Sequence, residues 1–66
     1  MMTPDIDINE QIKCVRREIS MREHVYPQWV ANGKIKQLHA DLEIARMKAV
    51  EETLINVANN QEFELT

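Results

Sequence analysis

The segment Val25-Tyr26-Pro27-Gln28-Trp29-Val30-Ala31-Asn32-Gly33-Lys34 decides the fold of this chain. It holds the only Trp, the only Tyr, the only Gly and one of the two Pro among 66 residues. Pro27 has no amide hydrogen and its ring crowds the carbonyl four residues back, so a helix arriving from the N-terminal side is expected to end or kink near Val25. A short helical turn from Pro27 to Ala31 can follow. Asn32-Gly33 then reads as a helix stop, with Gly33 taking the left-handed conformation that closes the last turn. Tyr26 and Trp29, one turn apart, are expected to anchor the inner side of the corner.

Working outward, both flanks read as helix. Thr3 before Pro4, or Asp7 with Glu10, has the spacing of a helix cap and its partner, and Asp7 is the better placed because Glu10 then falls at the third helical position. Apolar residues recur at Ile8, Ile12, Val15, Ile19, Tyr26 and Trp29, with Arg22 filling the one gap in the heptad. The thinner stripe Cys14, Met21 and Val25 lies on roughly the opposite side. Beyond the corner, Ile35, Leu38, Leu42, Ala45 and Ala49 form a stripe that drifts round to Met47, Val50, Leu54 and Val57. Lys36 stands where a capping Ser or Thr would be expected.

The spacing therefore predicts an all-α, antiparallel two-helix hairpin with a Pro-kinked corner in one domain. Helix 1 is placed at about 8–26, the corner at 27–34, helix 2 at about 36–58, and a frayed tail at 59–66, after an Asn59-Asn60 stop. A lone hairpin leaves Cys14, Met21, Val25, Ile44 and Ile55 off its main seam, and these are read as contacts to further copies in a helical bundle. Arg22 is expected to snorkel or to pair with Glu52 across the seam.

A chain this short supplies a core worth only ~3–5 kcal/mol, so it needs reinforcement. One Cys excludes an internal disulfide and leaves a homo-oligomer as the ordinary remedy. Composition, 44% hydrophobic and 29% charged, is that of a folded chain. No apolar run reaches membrane-spanning length, and Met1-Met2-Thr3-Pro4-Asp5 lacks the features of a signal peptide, so no membrane is implicated and a cytoplasmic location is expected.

The residues that carry chemistry are sparse. His39 and Glu43 are four apart, as are Glu10 and Cys14, but zinc takes three or four ligands, so no metal site is assigned. Cys14 on an apolar stripe reads as an inert buried thiol. A single Gly excludes a Gly-rich phosphate loop and a single Ser suggests no triad, so no cofactor and no enzyme activity are expected. Lys13, Arg16, Arg17, Lys34 and Lys36 are candidates for a basic patch, though pairing with neighbouring Glu residues accounts for many of these charges.

Residues 16–54 contain the pattern Arg-x-x-x-Ser-Met-Arg-x-x-Val-Tyr-Pro-x-Trp-Val-x-x-Gly-Lys, followed by Ala-Asp-x-Glu-Ile-Ala-x-Met-x-Ala-Val-x-x-Thr-Leu. This resembles a group of short proteins encoded by tailed bacteriophages and prophages. The resemblance runs from Met21 to Gly33 and from Ala40 to Leu54, and Lys36 departs from it. It implies a phage origin and expression inside an infected bacterium, and carries across no catalytic residue. Arg22, Tyr26, Trp29, Asp41 and Glu43 fall near the bend and are the candidate partner site. The expected function is that of a small phage accessory protein binding a host or phage protein stoichiometrically, for host takeover, anti-defence or regulation of DNA metabolism. Two alternatives stand beside it: nucleic-acid or anionic nucleotide binding at a basic patch formed on oligomerisation, and a structural virion component.

Overall fold

Asp7 occupies the cap position of the first helix, its carbonyl accepting the Gln11 amide at 3.1 Å. Its carboxylate accepts no helix N–H, contrary to expectation, and the Gln11 side chain instead donates to the Ile6 carbonyl at 2.9 Å. The structure, a computed structural model, describes the backbone of residues 5–64 and the side chains of 5–60. The Thr3-Pro4 cap and the last two residues of the expected tail lie outside the described residues.

Two helices account for nearly all of it: α1, Ile8–Ala31, and α2, Gln37–Glu64. They pack against each other as an antiparallel hairpin, and the described residues contain no strand. The corner begins later than Pro27. Helix α1 continues through the proline for another turn, because Pro27 removes only its own donor to Glu23 while the amides beyond it still find partners, Asn32 reaching the Gln28 carbonyl at 2.9 Å.

The stop itself falls where Asn32-Gly33 places it. Gly33 has φ +76° and donates to Val30, and Lys34 donates to Trp29 at 2.8 Å, the paired bonds of a Schellman closure. Lys36 then lends its carbonyl to the Ala40 amide at 3.0 Å, and α2 starts without a side-chain cap on that residue. At the far end Asn59-Asn60 does not stop α2, which runs to Glu64. Asn ends a helix by adopting a left-handed backbone, and no described non-glycine residue has positive φ.

The seam on α1 is the expected one. Ile12, Ile19 and Tyr26 are buried, with Ile8, Val15, Arg22 and Val30 half-buried on the same side. On α2 the inward stripe is only partly the one expected: Met47 and Leu54 lie on it, whereas Val50 and Val57 are exposed. Ala40 is 2% exposed, and Ile44, Met47, Glu51, Leu54, Ile55 and Ala58 follow it, half-buried, at steps of three and four. Ile44 and Ile55 therefore line the hairpin's own seam. Leu38, Leu42, Ala45 and Ala49 face outward instead, about 180° round the helix at ~100° per residue.

The reason lies at the corner. Ala40, the first buried residue of α2, and Tyr26, the last of α1, lie nearest the turn, where a short connection favours a small side chain on one helix opposite a large one on the other.

Candidate functional site

One face of α1 near the corner carries an open groove. Its lining residues Glu18, Arg22, Val25 and Trp29 recur at steps of four, three and four, with Met21 and Tyr26 beside them, around a volume of about 310 Å³. Tyr26 is buried in the seam and forms the floor. Trp29 lies against it, ring centroids 5.6 Å apart and planes inclined at 41°, yet remains 40% exposed. Trp29 is thus not the buried anchor expected. Three residues on from Tyr26, it is turned about 60° round α1 to the edge of the seam. Met21 is 51% exposed on the opposite wall.

The groove's polar edge is an ion-pair network. Arg22 reaches Glu18 at 3.9 Å and Glu43 of α2 at 3.5 Å, and Glu43 also accepts from Arg46 at 2.8 Å. Arg22 does not pair with Glu52, which lies roughly two and a half turns beyond Glu43 and outside its reach. The same register joins Arg16 to Glu51 at 2.7 Å and Lys48 to Glu23 at 3.5 Å. All these pairs are part-exposed, so they orient side chains more than they stabilise the fold. A second shallow groove of about 460 Å³ lies on α2, lined by Ile35, His39, Leu42, Glu43 and Arg46. Glu43 borders it and is bonded to Arg22, so the two grooves meet at that ion pair.

Of the five residues of the candidate partner site, four come together: Arg22, Tyr26, Trp29 and, across the seam, Glu43. Asp41 does not. Two residues from Glu43, it points to the other edge of α2 and accepts from Gln37 at 2.9 Å. Glu18, Met21 and Val25 are groove residues that the sequence reading put elsewhere. The groove is built from both apolar stripes, Met21 and Val25 from the thinner one and Arg22, Tyr26 and Trp29 from the main one, with Glu18 one turn from Arg22.

Within one copy the five basic candidates do not form one patch. Lys13, Arg16 and Arg17 lie toward the start of α1 and Lys34 and Lys36 at the corner, about 20–25 Å away at 1.5 Å per residue. Arg16 is also engaged by Glu51. Cys14 is exposed rather than buried, because its stripe faces away from the seam. Met21 is exposed and Val25 half-buried along that stripe, both now as groove walls. Among the described residues no three His, Cys, Asp or Glu side chains converge as metal ligands, and no helix is long and apolar enough to cross a membrane. No protein-family model, curated protein or solved structure matches this chain.

Proposed function

We propose that the chain is a small accessory protein of a tailed bacteriophage that works by stoichiometric binding, engaging a host or phage protein in the infected cell through the Trp29 groove. The observation that carries this reading is the juxtaposition of exposed Trp29 and Met21 over a floor of buried Tyr26, with the Arg22 ion pairs as rim. Trp, Tyr and Arg are the residues that most often dominate association energies, and an apolar slot edged by charges admits one apolar anchor of a partner while orienting it. The phage origin is supported by the resemblance across residues 16–54.

A binder fits the groove better than an enzyme does. Its ionisable groups, Glu18 and Arg22, pair with each other, and no nucleophile stands beside a base. The separation of Lys13, Arg16 and Arg17 from Lys34 and Lys36 weighs against nucleic-acid binding by one copy. Leu38 and Leu42 on the outward side of α2 favour association of the chain with itself as well.

The test is affinity capture from infected cells, comparing the native sequence with Trp29→Ala and Met21→Glu variants whose helicity is checked by circular dichroism. One partner retained at a fixed ratio, and depleted roughly tenfold or more by either change, is expected. Recovery of the chain alone, or of the same partner undiminished by both variants, overturns the proposal. Presence of the protein in purified virions at fixed copy number would favour a structural role instead.

A further inference from the structure

We infer that the outward face of α2 is covered by α2 of a second copy of this chain, running antiparallel about a two-fold axis that passes between Leu42 and Ala45. The inference rests on the self-association proposed above and names its surface and geometry.

Leu38 is 66% and Leu42 42% exposed, and Ala45 and Ala49 continue the same line. The line then turns polar, since Glu52, Thr53, Asn56 and Asn60 occupy the following positions. The apolar patch is therefore finite, with two large residues at one end and two small ones at the other. Turned end for end, it fits itself: Leu38 lies over Ala49 of the second copy and Leu42 over Ala45, and the same contacts repeat on the other side of the axis. A parallel alignment would set Leu against Leu and Ala against Ala, leaving voids that a close-packed interface does not tolerate.

The charges agree with this register. Asp41 and Lys48 flank the stripe on one edge, and an antiparallel two-fold brings like edges together, so Asp41 of each copy meets Lys48 of the other. Both are exposed and held within the chain only by weak contacts, Asp41 from Gln37 and Lys48 to Glu23 at 3.5 Å.

The experiment combines light scattering over a range of concentrations with cysteine cross-linking in a Cys14→Ser background. Ala45→Cys should oxidise to a covalent dimer, and Ser20→Cys, on α1, should not. Asp41→Lys and Lys48→Asp should each raise the dissociation constant about tenfold or more, and the double exchange should recover most of that loss. Circular dichroism confirms that each variant keeps its helices. A dimer that fails to cross-link at position 45, or that the double exchange does not restore, overturns this geometry and leaves self-association through another face. A monomer at every concentration overturns both.

Discussion

Gly33 is the residue at which the hairpin turns, and its value is conformational rather than steric. A Cβ placed there meets nothing within 4 Å, so the cost of Gly33→Ala is the cost of holding φ +76° with a side chain. That should lower stability by about 1–2 kcal/mol in a urea or thermal unfolding experiment, with the helical signal of the folded state unchanged. Ile19 works differently, because at 7% exposed it sits in mid-seam. Ile19→Ala should remove about 2–4 kcal/mol, comparable to the ~3–5 kcal/mol that a core of this size supplies, so circular dichroism should show the variant largely unfolded. Met21→Ala, at an exposed position, should move stability by less than about 0.5 kcal/mol.

At the scale of the element, Pro27 within α1 is a cost the helix carries for its last turn. Pro27→Ala restores a donor to the Glu23 carbonyl and should raise the unfolding midpoint, by an amount equivalent to about 1–3 kcal/mol. If Trp29 and its groove depend on that turn, the variant keeps its partner. The interhelical pair Arg16–Glu51 should give a coupling of only about 0.2–1 kcal/mol in a double-mutant cycle, vanishing at high salt. The two helices also differ in how far their sequences disclose them. Helix α1 has one dominant apolar stripe with a single gap at Arg22, so its inward face could be read directly. Helix α2 has apolar residues on two opposite faces, and periodicity alone does not say which one meets α1. The distinguishing sign was length: Ala40, Ile44, Met47, Leu54 and Ala58 persist to the open end, whereas Leu38, Leu42, Ala45 and Ala49 give way to polar residues. With the other face taken as inward, Ile44 and Ile55 fall off the seam that they in fact line. The groove was legible in Arg22, Tyr26 and Trp29 but not in Glu18 or Met21, since it joins residues of two stripes that periodicity assigns to different neighbours.

The whole molecule is thin, measuring 50 × 30 × 16 Å, with a radius of gyration of 15.4 Å against about 11 Å for a globular chain of 66 residues. Association that covers α2 should make its thermal midpoint rise with protein concentration, measurable by circular dichroism at concentrations a hundredfold apart. A midpoint independent of concentration would mean that the slender hairpin stands alone. The antiparallel course of α1 and α2 has one further, mechanical effect. The start of α1 and the end of α2 leave from the same end of the molecule, so tension applied between them peels the seam open one layer at a time, Ile12 first, Ile19 next, Tyr26 last. Such a zipper yields at low force, while a load drawn along either helix alone must stretch the backbone itself.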